Sequence, residues 1–223
     1  MPPAIRILLP LAAAASFAAA QALPPADLGA TMQMIAQSLG VSCNYCHSAE
    51  RGSNQPEPRK DIARQMMAMT REMNARVQQA TGNAAAKVEC VTCHRGVPIP
   101  RQISDILSGT LRDQGAGAAV AQYRELRERF YGRQAYDFSE DTLVALAQRI
   151  TTSRPDDAIA LLQLNLEFNP GSARTYSAIA FAYTRKYDDE TAISFYQKAL
   201  AIEPNNGVIQ GQLQSLQNFR RRK

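Results

Sequence analysis

Apolar side chains recur every three or four residues along most of the chain after residue 27. This spacing places them on one face of a helix. The first stripe consists of Leu28, Met32, Ile35 and Leu39, and the second of Ile62, Met66, Met69, Met73 and Val77. Shorter helical patterns follow at about 103–112, 117–132, 139–151, 155–168, 173–185, 189–202 and 207–220. The pattern predicts an all-α protein.

Residues that interrupt helices divide this pattern into two parts. Gly40 ends the first helix, and a polar loop with two prolines is expected from Ser48 to Pro58. The second helix, from about 59 to 81, is broken by Gly82. Two prolines at 98 and 100 then mark a boundary, after which there is no cysteine, histidine or methionine. We therefore expect one domain at 23–101 and a second at 102–223.

The second domain contains an internal repeat. Asp156-Asp157-Ala158-Ile159 is echoed by Glu190-Thr191-Ala192-Ile193. The offset is that of tetratricopeptide repeats, and the segment from 173 to 206 resembles a complete one, with a degenerate unit before it and a capping helix after it. This indicates a helical tetratricopeptide-like domain, whose concave surface would dock a partner protein. The alternative is that the repeats only stabilise or space the first domain.

The N-terminus has the pattern of a secretory signal. Arg6 is the only charged side chain before Asp27, and an apolar run follows it from Ile7 to Ala20. Small residues at Ala20 and Ala22 suit a signal peptidase, so residues 1–22 are predicted to be a signal peptide of a periplasmic protein. A retained membrane anchor is the alternative, but the run is shorter than the roughly 20 residues that a spanning helix needs.

Charge narrows the range of partners. Loss of residues 1–22 removes Arg6 from 25 basic residues, which leaves 24 against 20 acidic residues. The chain closes on Arg220, Arg221, Arg222 and Lys223. Mild basicity favours an acidic protein partner or peripheral association with a membrane surface, although the tail alone could simply be solvated. No nucleic-acid-binding pattern is present.

The cysteines carry the most specific signal. All four fall in two C-x-x-C-H sequences, Cys43-Asn44-Tyr45-Cys46-His47 and Cys90-Val91-Thr92-Cys93-His94, which together use both histidines of the chain. Each sequence supplies two thiols to bond the haem vinyl groups and a histidine to ligate the iron. The rivals are a four-cysteine zinc site or two redox disulfides, and neither explains the trailing histidines. We predict two covalent haem c groups.

No histidine remains to serve as a sixth iron ligand, so methionine is the natural candidate. The methionines other than Met1 are Met32, Met34, Met66, Met67, Met69 and Met73. Most must be packing residues, because two irons need only two. For the second iron, Met66, Met69 and Met73 share one helix face, whereas Met67 points away. The residues alone leave these three open.

Residues 30–100 resemble half of the tetrahaem cytochrome subunit of photosynthetic bacterial reaction centres. The shared plan is a methionine-bearing helix, a loop and C-x-x-C-H. The match is carried by Met32-Gln33-Met34-Ile35-Ala36-Gln37, by the stretch from Ala63 to Asn74, and by Val91-Thr92-Cys93-His94-Arg95-Gly96. The resemblance implies that Met32 is the distal ligand of the first haem and Met66 that of the second. The loop after Met66 is longer than in the family, which makes Met69 the runner-up.

The chain also departs from that family. It has two haem motifs instead of four, and it lacks both the additional ligating histidine and the lipid-bearing cysteine. Membership of a photosynthetic complex is therefore not implied. The expected function is one-electron transfer with redox partner proteins, without substrate catalysis. The alternatives are a dihaem peroxidase-like enzyme, which needs an open iron position, and a scaffold that senses redox state or a gas.

Overall fold

The computed structural model describes residues 25–47 and 58–221, and every regular element in these ranges is helical. The helices are α1 (Pro25–Leu39), α2 (Pro58–Thr81), α3 (Cys90–His94), α4 (Ile103–Gln114), α5 (Ala116–Phe130), α6 (Glu140–Ile150), α7 (Pro155–Phe168), α8 (Ala173–Arg185), α9 (Asp189–Ile202) and α10 (Gly207–Arg221). A single 3₁₀ turn lies at Cys43–Tyr45. The predicted all-α fold is confirmed.

The predicted helices agree closely with the observed ones, and their ends differ by no more than a fraction of a turn. Two short elements inside the C-x-x-C-H sequences, α3 and the 3₁₀ turn, were not predicted. Pro58 begins α2 instead of ending a loop. The predicted signal peptide and the remainder of the loop that begins at Ser48 lie outside the described residues. No helix within 25–47 or 58–221 is long and apolar enough to cross a membrane.

Helices α4 to α10 pack around two clusters of apolar side chains. Most of them pack on the next helix in sequence, whereas α5 packs on α4 and α7, and further contacts run from α4 to α6 and from α6 to α8. The first cluster consists of buried side chains, among them Leu107, Tyr123, Leu143, Leu161 and Ile179. A second cluster, with Tyr196, Ile209 and Leu216, joins α8, α9 and α10. This region buries apolar surface on every helix.

The helix starts repeat at the period seen in the sequence. Helices α7 and α9 start at 155 and 189, and α8 and α10 start at 173 and 207, so one offset separates both pairs. Local caps fix the starts of two of these helices. The side chain of Ser172 accepts a hydrogen bond from the amide of Thr175 at 2.9 Å, and Asp188 accepts one from Thr191 at 3.1 Å. Such caps satisfy amides that have no partner inside the helix.

The segment from 25 to 101 contains almost no core of its own. Among its described residues only Ser38, His94 and Val97 are buried. Helix α1 packs on α3, whereas α2 has no buried residue along its 24 residues. An isolated helix is marginal in water without a packed face, so the apolar stripe of α2 requires another surface to cover it.

Candidate haem sites

The second C-x-x-C-H sequence forms one turn of helix, α3. Cys90 and Cys93 are three positions apart and so lie on the same side of this turn. The hydroxyl of Thr92 accepts a hydrogen bond from the amide of Glu89 at 3.0 Å, which fixes the start of the helix. Glu89 also pairs with Lys87 at 2.7 Å, and this hydrogen bond raises the pKa of the Lys87 ammonium. Both thiols are free, with Cys93 exposed and Cys90 half-buried.

His94 is held in one orientation by the turn that follows α3. Arg95 and Gly96 both have positive φ angles, 49° and 87°, and they bring the chain back so that the carbonyl of Val97 lies 3.0 Å from His94 Nδ1. A carbonyl oxygen can only accept, so Nδ1 carries the proton and the lone pair of the neutral ring is on Nε2. Metal-ligating histidines are generally oriented in this way by their second nitrogen. The geometry therefore prepares Nε2 as an iron ligand.

Two glycines allow α1 to pack directly on this turn. A Cβ at Gly40 would lie 2.2 Å from the carbonyl oxygen of Gly96, and Gly40 has a φ angle of 65°. The amide of Gly96 donates to the carbonyl of Ser38 at 2.8 Å, next to the end of α1. The end of α1, the helix of the first predicted haem unit, thus supports the turn that holds the histidine of the second. A larger side chain does not fit at Gly40, and its backbone conformation favours glycine as well.

The first C-x-x-C-H sequence has a similar turn but a more open setting. The amide of His47 donates to the carbonyl of Cys43 at 3.1 Å, and His47 is exposed where His94 is buried. Arg59, at the start of α2, donates to the carbonyl of Tyr45 at 2.8 Å and lies 4.2 Å from the centre of the Tyr45 ring. This contact ties α2 to the first motif, and sequence periodicity gave no indication of it.

Met32 and Cys43 line the same groove. Its volume is about 700 Å³, and its walls are the face of α1 that carries Gly29, Met32 and Ala36, together with the turn from Gly40 to Cys43. This volume lies within the range of cofactor pockets. The structure thus brings together the methionine and a cysteine that the sequence assigned to the first haem.

A side-chain clamp joins α2 to the segment that leads into the second motif. Both backbone groups of Val88 are bound by the side chain of Asn74, at 2.6 Å for the amide and 3.0 Å for the carbonyl. This clamp folds the segment before Cys90 back along α2. Met66, Met67 and Met73 are half-buried, whereas Met69 is 45% exposed. Burial thus sets Met69 apart from the other three and does not distinguish Met67 from Met66 and Met73.

The residues present fit two covalently attached haem groups. The cysteines are free, His94 offers Nε2, Met32 shares a groove with Cys43, and no residue of α2 is buried by the described protein surface. Within those residues no three side chains of the histidine, cysteine, aspartate and glutamate types are grouped to hold a metal ion. The four cysteines thus do not have the arrangement of a structural zinc site.

A second groove, of about 670 Å³, lies between the second motif and the helical region. Its walls come from α3 and the turn after it, from the segment 100–104, and from residues 135–149 around the start of α6. Cys93 lines it, so one haem attachment point faces the helical region. Sequence reasoning missed this groove because its walls come from segments that are distant along the chain.

Residues 22–155 match the family described as the photosynthetic reaction centre cytochrome C subunit. That range is more than half of the 223 residues. The chain belongs to this family. A c-type cytochrome holds haem covalently through its C-x-x-C-H cysteines, so a covalently bound haem follows from membership. The matched range also continues past the domain boundary expected at 101 and takes in α4, α5 and α6.

Two curated relatives are similar over a shorter range. The photosynthetic reaction center cytochrome c subunit of Rubrivivax gelatinosus is 37% identical over 77 residues, which is 34% of this chain and 20% of that protein. Cytochrome c-554 of Chloroflexus aurantiacus is 34% identical over 67 residues, or 30% of this chain and 16% of that protein. The similarity therefore spans a fifth or less of each relative.

Proposed function

We propose that this protein is an exported dihaem c-type cytochrome that transfers single electrons between redox partner proteins. The observation that carries the proposal is the orientation of His94, whose Nδ1 is occupied by the Val97 carbonyl at 3.0 Å. This geometry leaves Nε2 available for an iron, because metal-ligating histidines generally donate the N–H of their other ring nitrogen to a carbonyl or carboxylate. Family membership supports the cytochrome part of the proposal.

The same set of ligands is proposed for each motif. Cys43 and Cys46 would bond the first haem and Cys90 and Cys93 the second, with His47 and His94 as proximal ligands. Met32 and Met66 would hold the distal positions and leave no site open for a substrate. The bound haem supplies an iron that alternates between two oxidation states, at a potential set by ligands and burial. The protein residues orient this iron and exclude water from it.

The domain plan belongs to the same proposal. Residues 1–22 would direct export to the periplasm and be removed, 23–101 would carry the haems, and 102–223 would form a tetratricopeptide-like domain that docks a partner. The equal offset between the starts of α7 and α9 and of α8 and α10 supports the repeat. Peripheral association with a membrane through the basic C-terminus is the remaining part, supported only by its charge.

The mass of the mature protein tests the haem count. Purified from a host that matures c-type cytochromes, the chain should begin near Leu23 and carry two haem groups, because both thiol pairs are free to react. The reduced protein should pass one electron per haem to an external acceptor. A chain with one haem, none, or bound zinc would overturn the dihaem proposal.

Single Met→Leu substitutions test the distal ligands. Met32→Leu and Met66→Leu should each remove one of two sulfur-to-iron absorption bands of the oxidised protein. Met67→Leu is the matched control on the same helix, and as a packing change it should cost less than about 1.5 kcal/mol and leave both bands. Loss of a band in Met69→Leu or Met73→Leu, with both bands kept in Met66→Leu, would show that the ligand is misassigned.

A further inference from the structure

Only one of the two predicted haem attachment sites faces the helical region. The groove of about 670 Å³ has Cys93 on one side and Asp141, Ala145 and Arg149 of α6 on the other. No cysteine of the first motif lines it. Any molecule that occupies this groove therefore lies against both Cys93, a predicted attachment residue of the second haem, and a helix of the helical region.

The charges in the groove are unbalanced. Its two carboxylates already have partners, since Asp137 accepts the amide of Ser139 at 2.9 Å and Asp141 pairs with Arg174. The amide of Ser139 also lowers the pKa of Asp137, so this side chain is a fully ionised but satisfied group at neutral pH. Among the described residues, Arg95, Arg101 and Arg149 meet no carboxylate. Three guanidinium groups thus remain without a carboxylate, of which Arg95 donates through Nε to the carbonyl of Thr92 at 3.3 Å.

The form of the groove favours a protein segment over a small ion. The three arginines come from separate walls, namely the turn after α3, the segment at 100–104 and the end of α6. Guanidinium groups bind carboxylates through two parallel hydrogen bonds. Carboxylates spaced along an extended stretch of chain can pair with the arginines on all three walls.

We infer that an acidic segment of a redox partner docks in this groove and exchanges electrons through the Cys93 side of the second haem. The inference rests on the proposed function, because it assumes that Cys93 carries a haem. It assigns the contact with the partner to the junction of the two regions. The first motif, whose cysteines do not line this groove, would then carry the haem that exchanges electrons with a different redox partner.

Amide hydrogen exchange of the mature holoprotein with a hexaglutamate peptide tests the binding site. The peptide should protect residues 92–104 and 135–149 at low ionic strength, and added salt should remove this protection. The double variant Arg101→Gln/Arg149→Gln should lose it. The control variant Arg185→Gln/Arg220→Gln makes the same change of charge on exposed side chains of α8 and α10. This control should keep the protection by the peptide. Arg95 is left unchanged because it is next to His94.

An anionic electron acceptor tests the functional consequence. Reduced holoprotein gives one electron per haem to hexacyanoferrate(III), which becomes hexacyanoferrate(II). At low ionic strength the Arg101→Gln/Arg149→Gln protein should react about threefold more slowly or worse, whereas the charge-matched control should change less. Oxidation by tris(1,10-phenanthroline)cobalt(III), a cationic oxidant, should not slow in either variant.

Any of four results would overturn the inference. Hexaglutamate could protect the basic C-terminus instead of the groove, or protect nothing. Vesicles of anionic phosphatidylglycerol could protect the groove where the peptide does not, which would make it a membrane contact. The two double variants could also be slowed equally. If the protein still carries two haems and transfers electrons in these cases, the docking site is wrong and the proposed function stands.

Discussion

The segment before residue 101 and the helical region after it are both α-helical, but they are stabilised in different ways. In the helical region each of α4 to α10 contributes at least two buried side chains to a protein core. Among the described residues before 101, only Ser38, His94 and Val97 are buried, and the long helix α2 has none. Hydrophobic burial is the main favourable term in folding, so the described protein surface by itself gives the first region little to fold against. We infer from this contrast that covalently bound haem is part of its core.

Removal of haem attachment should have the largest effect. In the variant Cys90→Ala/Cys93→Ala we expect amide exchange in residues 58–97 to approach the rate of an unfolded chain, because the apolar stripe of α2 loses its cover. Residues 143–199 should keep their protection. Hydrogen exchange by mass spectrometry measures both at once. A fully protected α2 in this variant would show that the contrast between the regions is wrong.

A cavity in the helical region should destabilise that region and leave the haem absorption bands unchanged. Leu161 is fully buried in α7, so Leu161→Ala should lower the free energy of unfolding of this region by about 2–5 kcal/mol. Chemical denaturation followed by circular dichroism measures the change. The haem absorption bands should be the same as in the wild type at low denaturant. If they change too, the two regions unfold as one unit.

The contact between Gly40 and Gly96 can be tested with a matched pair of glycines. Gly40→Ala places a Cβ 2.2 Å from the Gly96 carbonyl, whereas Gly82→Ala, at a similar φ angle of 63°, meets nothing within 4 Å. Both variants should lose about 1–2 kcal/mol of free energy of unfolding, because alanine is strained in the left-handed backbone conformation. Gly40→Ala should lose more and should also disturb the His94 ligand field, seen by resonance Raman. Equal effects would mean that α1 does not rest on this turn.

A smaller effect is expected from Asp137, at the edge of the second groove. Hydrogen bonds from Ser139 lower the pKa of Asp137 below its ordinary value of 3.8. A lowered folded-state pKa stabilises the fold above the unfolded pKa, and this contribution is lost as the pH falls through the folded pKa. Asp137→Asn should therefore be less stable than the wild type at pH 7 and equally stable once the pH is well below about 4. Thermal melts across that range measure the difference, and a constant difference at all pH values would contradict it.

The agreement for the helical region has a local cause. The bounds 155–168, 173–185 and 189–202 were predicted to the residue, because each helix has apolar residues at regular spacing and a Pro, Ser or Asp at its start. The helical turns within the C-x-x-C-H sequences were missed, since such short segments cannot show a period. Prolines 98 and 100 suggested a separate linker, whereas Val97 and Ile103 on either side are buried and residues 100–104 line the second groove.

The sequence by itself determined the chemistry and the secondary structure of this protein. Haem attachment depends on two cysteines and a histidine within one short motif, and a helix depends on contacts between successive turns, so both are readable along the chain. Only the tertiary structure decided that the end of α1 supports the turn after the second motif, and that the second motif faces the helical region. The contacts of Gly40 with Gly96, of Asn74 with Val88 and of Cys93's groove with α6 join residues that are distant along the chain. No local pattern records such pairs, because they form only when the helices pack.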